Sequence, residues 1–270
     1  MMKAVHNWPL ILIGTLILIL SGCTQSEPES PQEVVGAITS LAGTAWELEA
    51  FGGPEDTVPV VPGSRLSVNY FVERYAGYGG CNWFLGVYGL EGINVRMETV
   101  ATTTLNCESQ EIMEQEQTFM AALLDVAYFR NEDNRMVGYT AENQALLSLL
   151  PTPPAPFEGT TWELKFGWDG ESWVPVLPLT TVTAQFEGDQ VTGSGGCNSY
   201  SASIESDGNQ LTIGPAAATR MACSDPEDIM QQEDAYFSQL ASVAGYTVAG
   251  GTLILLDANG EPILLFGTTP

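Results

Sequence analysis

The clearest pattern of apolar and polar positions lies in the second half of the chain. Residues 182–186 and 211–213 alternate between the two kinds of side chain, which is typical of half-buried strands. Residues 252–256 and 263–266 are apolar runs on either side of an Asp-Ala-Asn-Gly turn, which predicts a hairpin.

An amphipathic helix is predicted between these two groups of strands. Asp225 suits the N-cap and Pro226 the first helical position. Apolar residues then follow at spacings that place them on one helix face: Ile229, Tyr236, Leu240 and Val243. Gly245 can end the helix. The order of strands, helix and strands predicts an α+β domain, mainly β, with an antiparallel curved sheet or partial barrel and one packed helix.

The same order of signals occurs twice along the chain. Residues 43–48 match residues 159–164 at an offset of 116, and both read Gly-Thr-x-Trp-Glu-Leu. This offset also aligns Gly-Gly-Cys-Asn at 79–82 with 195–198, and Cys107 with Cys223. We therefore expect duplicated domains at 41–150 and 157–270. The proline-rich linker between them, residues 151–156, should form a short polyproline spacer.

The amino terminus has the features of a bacterial lipoprotein signal. Residues 10–20 form an uncharged apolar run, which is too short for a membrane span and typical of a secretory signal peptide. The run ends in Leu-Ser-Gly-Cys at Cys23, which resembles the lipobox. That resemblance implies cleavage after a signal peptide at 1–22, lipidation of Cys23 and a flexible tether over the rest of 23–40. The alternative is an ordinary signal peptide or an uncleaved anchor.

Charge and histidine content narrow the possible functions. The chain has 33 Asp and Glu residues, 8 Lys and Arg residues and a formal net charge of −25, so it cannot neutralise the phosphates of a nucleic acid. The only histidine, His6, lies in the predicted signal peptide. The mature chain would therefore lack the imidazole that Ser/His/Asp or Cys/His catalysis requires.

Four elements that occur in both halves resemble the META domain of the HslJ family of bacterial envelope lipoproteins. They are the Gly-Thr-x-Trp start, the Gly-Gly-Cys-Asn centre, the closing hairpin and a Thr-x-x-x-Cys element at 103–107 and 219–223. The first copy departs from the pattern, because Asn106 precedes its cysteine where the second copy has Met221-Ala222, and 135–139 makes a weaker hairpin strand. The resemblance implies an extracytoplasmic, β-rich module without established catalysis, often discussed in stress or antibiotic tolerance.

Four cysteines remain after Cys23. In an oxidising compartment we expect Cys81 to pair with Cys107 and Cys197 with Cys223, each pair being 26 positions apart. Loops of this size should stabilise each domain by about 3 to 4 kcal/mol in the chain-entropy model. Buried free thiols and a metal site made of all four cysteines are the alternatives.

A few side chains are candidates for ligand contact. The loop at 166–173 carries Trp168 and Trp173 beside acidic residues, which suits contact with a carbohydrate or a peptide, although the two rings could also pack on their own sheet. Asn82 and Asn198 either stabilise their own turns or contact a ligand.

We expect neither a metal nor a cofactor. The segment at 257–261 contains Asp, Asn and Glu but lacks the full ligand spacing of an EF-hand, and it is interpreted as a hairpin turn. No catalytic residue is nominated either.

The sequence therefore predicts a non-enzymatic, extracytoplasmic lipoprotein with a binding or scaffolding role. Its expected partners are the membrane, through the N-terminal lipid, and an unidentified envelope protein or glycan. In a host with two membranes, outer-membrane sorting is the default. The alternative is an enzyme that uses carboxylates alone, such as a glycosidase.

Overall fold

The computed structural model describes residues 36–53, 56–107 and 109–268. The predicted signal peptide, Cys23 and most of the predicted tether lie outside these residues. None of the helices within the described ranges has the length and apolar character needed to cross a membrane.

The first domain contains nine strands and one helix. These are β1 (Ala45–Gly53), β2 (Asp56–Pro59), β3 (Ser67–Tyr70), β4 (Arg74–Tyr78), β5 (Trp83–Glu91), β6 (Asn94–Thr102), α1 (Gln110–Asp125), β7 (Tyr128–Glu132), β8 (Arg135–Tyr139) and β9 (Ala145–Pro151). The strands pair in the order β2-β1-β3-β4-β5-β6-β7-β8-β9, and β9 pairs back onto β1. Eight strands thus form an antiparallel ring, and β2 extends it as a hairpin on β1.

The second domain repeats this plan. Its elements are β10 (Thr161–Trp168), β11 (Trp173–Pro175), β12 (Thr183–Glu187), β13 (Gln190–Ser194), β14 (Ser199–Asp207), β15 (Gln210–Ile213), β16 (Ala217–Ala218), α2 (Ile229–Leu240), β17 (Gly245–Ala249), β18 (Thr252–Leu256) and β19 (Pro262–Thr268). Here β19 closes the ring on β10, while β11 and β16 pair outside it. The predicted fold class and duplication are confirmed.

Each ring encloses one apolar core because side chains alternate between its inside and its outside. The helix contributes the stripe that its spacing predicted: Phe119 and Leu123 in α1, and Tyr236 and Leu240 in α2, are buried. Both rings have a weak joint, since β6 meets β7 and β15 meets β17 through a single residue pair.

The boundaries predicted for the second helix are wrong at both ends. Asp225 and Pro226 lie in a turn, and α2 begins at Ile229 after Asp228, whose φ is 68°. Cys223 is held in place by its disulfide bond to Cys197, and the chain needs this turn to pass from Cys223 to the start of the helix. Gly245 does not end the helix, because it already pairs with Leu256 in the β17–β18 hairpin.

The last part of the predicted tether, residues 36–40, is not free. The N–H of Asn131 donates to the carbonyl of Gly36 at 2.9 Å, and the N–H of Ile38 donates to the carbonyl of Phe129 at 2.9 Å. Ile38 also packs against the core of the first domain. Because β7 has almost no partner on the β6 side, its edge offers hydrogen-bonding groups that the incoming chain satisfies.

The two domains pack against each other through an apolar interface. The first domain contributes outward-facing residues near the β3–β4–β5 region, and the second contributes residues from β10, β11 and β17–β19. The contacting residues are Ala45, Phe71, Ala76, Trp83 and Leu85 on one side and Phe166, Trp173, Ala249, Ile254 and Leu265 on the other. The linker is bound to both domains. The backbone N–H of Thr152 donates to the carbonyl of Ala45 at 2.9 Å, and the backbone N–H of Ala155 donates to the carbonyl of Gly250 at 2.7 Å.

Candidate functional site

Asn82 lies in a polar cluster that links three parts of the first domain. Its backbone N–H donates to Oε2 of Glu116 on α1 at 2.6 Å, and its side-chain Nδ2 donates to Oε1 of the same carboxylate at 2.8 Å. Its Oδ1 accepts from the hydroxyl of Thr103 at 3.0 Å and from the N–H of Leu105 at 2.7 Å. Every polar group of this side chain is therefore used to hold β5, the disulfide loop and α1 together.

Asn198 has the same role in the second domain. Glu233 accepts its backbone N–H and its Nδ2, both at 2.6 Å, while its Oδ1 accepts from Thr219 and from the N–H of Met221, both at 2.7 Å. Asn198 is 2% exposed. Both asparagines thus stabilise their own turns, as one of the two interpretations of the sequence expects.

The Gly-Gly dipeptide before each cysteine is required by this cluster. A Cβ on Gly79 would lie 2.6 Å from Oε2 of Glu116, and one on Gly195 would lie 2.7 Å from Oε2 of Glu233. Gly80 and Gly196 have φ values of 105° and 111°, a backbone conformation that glycine adopts readily and that residues with a Cβ rarely adopt.

Two disulfides fasten the same loops. Cys81 bonds to Cys107 and Cys197 to Cys223, so the predicted pairing is confirmed, and the alternatives of free thiols and a four-cysteine metal site are excluded. Structural disulfides of this kind are typical of extracytoplasmic proteins.

Two Gln-Glu pairs on the helices complete these clusters, and no role for them was predicted from the sequence. Beside Glu116, Gln115 accepts the N–H of Val61 and donates to Ser64 Oγ at 2.8 Å. Beside Glu233, Gln232 accepts the N–H of Leu177 at 2.6 Å and donates to Thr180 Oγ1 at 3.1 Å. The sequence does contain a sign of this role, because the dipeptide Gln-Glu occurs at the same place in both helices, 117 positions apart. Exposed polar residues of a surface helix need not be repeated in this way.

The tryptophan pair of the second domain belongs largely to the interface. Trp173 is 7% exposed and lies within the interdomain cluster, and Trp168 packs against that cluster with its ring 5.7 Å from the ring of Trp173. The carbonyl of Trp168 accepts a hydrogen bond from Gln239 on α2. The buried Trp173 ring packs in the interdomain cluster, where the first domain covers this side of the second, and not only on its own sheet.

Asp169 in the loop at 166–173 and Asp257 in the turn at 257–261 both bind their own backbone. Asp169 Oδ1 accepts the N–H groups of Ser172 and Glu171 at 2.7 and 2.8 Å, and these bonds lower the pKa of Asp169. The N–H groups of Glu261 and Asn259 lower the pKa of Asp257 in the same way. The described ranges contain no group of three or more His, Cys, Asp or Glu side chains arranged to hold a metal ion.

A cleft of about 370 Å³ opens where the domains and the linker meet. Its walls come from Ser67, Asn69, Tyr78 and Trp83 of the first domain, the linker residues 152–156, and Gly250, Gly251 and Thr268 of the second. Glu47 and Arg65, which form a 2.8 Å ion pair, lie at its edge. This cleft is a candidate functional site, because it joins both domains and the linker and because ligand sites occur preferentially at domain interfaces.

One buried polar atom beside this cleft has no partner within the described residues. Asn69 is 1% exposed, and its Nδ2 donates to Oγ1 of Thr252 across the domain interface at 2.8 Å. Its Oδ1 accepts no hydrogen bond within the described residues. Buried side-chain acceptors are normally satisfied, so this oxygen requires an explanation.

Comparison with known families settles the identity of the repeat. The META domain family matches residues 39–152 and again residues 155–270. The chain belongs to the META domain family. Each matched range contains one of the two rings of the structure.

Similarity to solved structures is more distant. A protein from Burkholderia xenovorans, solved by NMR, is 24% identical over 42% of this chain and 83% of its own, with a TM-score of 0.35. A DUF4847 family protein from Bacteroides vulgatus, solved by crystallography, is 16% identical over 42% of this chain and 94% of its own, with a TM-score of 0.30. The search of curated proteins gives no match.

Proposed function

We propose that this tandem META protein is a lipid-anchored, non-enzymatic binding protein of the bacterial envelope. The observation that carries the proposal is the domain junction, where two META domains bury a shared apolar interface and enclose a cleft with the linker. Two domains fixed in this way present one surface of constant shape, which limits the conformational entropy lost on binding.

Two further features support an extracytoplasmic binding role. Each domain is closed by a disulfide, as expected of a protein outside the cytoplasm. The asparagines that follow the cysteines use both polar atoms of their side chains in contacts within their own domains, whereas the cleft at the linker is formed by both domains. A role in envelope stress or antibiotic tolerance is part of the proposal and rests on the family alone.

The anchor is tested by the variant Cys23→Ser. If Cys23 carries the lipid, this variant is released from membranes or stalls with its signal peptide attached, and membrane fractionation with mass measurement distinguishes the two. The matched control is Ser21→Ala, which keeps a small residue before the cysteine and should be processed normally. Full membrane retention of Cys23→Ser with normal signal removal would contradict the lipid anchor.

The binding role is tested with the mature protein in envelope extracts. A pull-down identifies partners, and the same preparation is assayed for hydrolysis of glycans and peptides. Hydrolysis that disappears when a single carboxylate is replaced would establish the alternative, a carboxylate-dependent hydrolase such as a glycosidase.

A further inference from the structure

We propose that the groove between β11 and α2 of the second domain binds an amphipathic, basic helical segment of a partner protein. The apolar face of that helix lies in the groove, and its basic side chains lie at the acidic rim. The groove shares no lining residue with the interdomain cleft, so it is a binding surface additional to the one in the proposed function.

The groove is an open apolar surface of about 370 Å³. Leu164 and Tyr236 form its buried floor, and Val174 on β11 and Ala235 on α2 lie exposed on its two walls. Side chains alternate along β11, so Val174 faces the groove while Trp173 faces the first domain. Val174 is 45% exposed, and an occupant therefore reaches these side chains without any rearrangement of the domain.

An exposed leucine follows directly after the groove wall. Leu179 comes two residues after Leu177, which lines the groove, and it is 99% exposed. Its φ of 66° is one that residues with a Cβ rarely adopt. The equivalent residue of the first domain is Gly63, with a φ of 83°, and the same backbone hydrogen bond closes both turns. The second domain thus gives up stability to expose a leucine where the fold favours glycine, and a strained, exposed residue of this kind favours a contact role.

The shape of the groove favours a helix over an added strand. β11 pairs with β10 alone, but it has only three residues, and Pro175 has no N–H to offer an added strand. The groove follows α2 from Asp228 to Gln239, a distance of about 16 Å at the helical rise. A helix of about three turns has this length and places residues three and four apart into such a groove.

The charge of the second domain favours a basic occupant. Residues 157–270 contain 15 acidic side chains and two basic ones, Lys165 and Arg220. Lys165 is buried and paired with Glu163 at 2.9 Å, and neither basic residue lines the groove. A basic segment is attracted to this surface. A second copy of this chain, with a net charge of −25, is repelled by it.

Two exposed carboxylates lie at opposite ends of the groove. Asp169 lies near Gln239, in the last turn of α2, where the helix dipole is negative. The backbone N–H groups of Ser172 and Glu171 lower the pKa of Asp169, which keeps it charged. Asp228 lies at the other end, just before the first turn of α2. An apolar groove with an acid at each end complements a helix that is apolar on one face and basic at its borders.

The experiment is a titration of the full chain, purified as the cell delivers it, with three fluorescent peptides of about five helical turns. The first is an amphipathic helix of leucine and lysine, the second has glutamate in place of lysine, and the third has the leucines and lysines in shuffled order. We expect saturable binding of the first in fluorescence anisotropy and at least about ten-fold weaker binding of the other two. Any detergent that the anchor requires is titrated alone as the blank.

Two variants test whether the peptide lies at the groove. Leu179→Gly introduces the residue of the first domain, so it should raise the melting temperature while weakening the leucine–lysine peptide about ten-fold. Val174→Ser should weaken the peptide without unfolding the domain, because Val174 is exposed. The matched control is Val58→Ser, the equivalent position on β2 of the first domain, which is 61% exposed and should leave binding unchanged.

Four results would overturn the proposal. Equal binding of the glutamate or the shuffled peptide would exclude a groove that selects a basic, amphipathic helix. Unchanged binding by both Leu179→Gly and Val174→Ser would place the peptide elsewhere. A dimer in sedimentation that Leu179→Gly dissociates would make a second copy the occupant. The absence of saturable binding of the leucine–lysine peptide would mean that the groove takes no basic helix; the anchoring and pull-down tests are independent of all four results.

Discussion

The same outer face has opposite character in the two domains. In the first domain it carries buried apolar residues, among them Ala76, Trp83 and Leu85. The equivalent positions of the second domain, read from the strand register, are Thr192, Ser199 and Ser201, and all three are exposed. The duplicated cores are alike, so the difference arises from what each face contacts: the first is covered by the neighbouring domain and the second faces solvent.

The interface therefore joins two different faces of one fold. The first domain uses its β3–β4–β5 side, whereas the second uses the side formed by β10, β11 and β17–β19. A head-to-tail contact of this kind can add further domains one after another, because each added domain leaves the same face free. The polar face of the second domain prevents that, because serine and threonine hydroxyls offer no apolar surface for a third domain to bury.

The largest loss of stability is expected for a substitution in the apolar face of the first domain, which the second domain covers. Trp83→Ala should lower the free energy of unfolding by about 3 to 5 kcal/mol, because it leaves a cavity in the interdomain cluster. Lys165 would also lose the ring that lies 5.5 Å from its ammonium group. Urea denaturation measures the change, and calorimetry should show the two domains unfolding separately.

The matched change in the second domain is Ser199→Ala. Since Ser199 is exposed, its replacement should alter stability by less than about 0.5 kcal/mol. Comparable losses from Trp83→Ala and Ser199→Ala would show that the interface is not what distinguishes the two faces.

Much of each domain was predictable from the sequence because the relevant signals are local. Strand alternation, the helix stripe and the repeated Gly-Gly-Cys-Asn all reflect burial within one domain, and the cysteine pairs follow from the repeat. The start of α2 was not predictable, because Asp225 and Pro226 have ideal local chemistry for a helix start and are overruled by the anchored loop at Cys223.

The domain interface and its cleft were not predictable for a different reason. Alternation tells which side of a strand is buried, but an outward apolar residue such as Leu85 gives the same pattern whether it meets a domain, a ligand or water. Trp173 illustrates the problem, since its loop is rich in acids and its ring is nevertheless buried by a contact distant in sequence. Asn69 gave no signal at all, because one asparagine on a strand has no characteristic spacing.

A smaller effect should distinguish the two equivalent carboxylates, Glu116 and Glu233. Glu233 and Glu116 make the same three hydrogen bonds, but Glu233 is 3% exposed while Glu116 is more accessible to solvent. Glu233→Gln replaces one carboxylate oxygen by an NH₂ group, which then faces the N–H donors of Cys197 or Asn198. The variant should lower the free energy of unfolding by about 1.5 to 3 kcal/mol. Glu116→Gln should cost less, because water can replace the lost bond.

This pair is measured by urea denaturation with the disulfides intact, so that the loops stay closed. Amide hydrogen exchange at Asn82 and Asn198 reports each loop separately. Equal losses in the two variants would mean that burial does not set the strength of the cluster, and that the geometry shared by both domains is sufficient.

The smallest effect concerns one aromatic pair in each core. Tyr200 and Tyr236 pack edge to face in the second domain with their hydroxyls 2.6 Å apart, and the equivalent residues of the first domain, Phe84 and Phe119, pack in a similar way without hydroxyls. Tyr200→Phe leaves the buried Tyr236 hydroxyl without its partner and should cost about 1 to 3 kcal/mol. Replacing both tyrosines recreates the phenylalanine pair, so the double variant should be less destabilised than the single one.

The pair also predicts a pH dependence. Burial raises the pKa of Tyr200 to about 12 and that of Tyr236 well above its usual value, so the folded state favours the protonated phenols. An unfolded tyrosine titrates near pH 10, as model peptides do, and releases its proton sooner. The stabilisation is therefore complete below about pH 10 and is lost as the pH rises toward 12. Urea denaturation between pH 9 and about 12 should show a shallower loss for Tyr200→Phe/Tyr236→Phe than for the wild type; parallel curves would show that other buried tyrosines, such as Tyr70, set the alkaline limit.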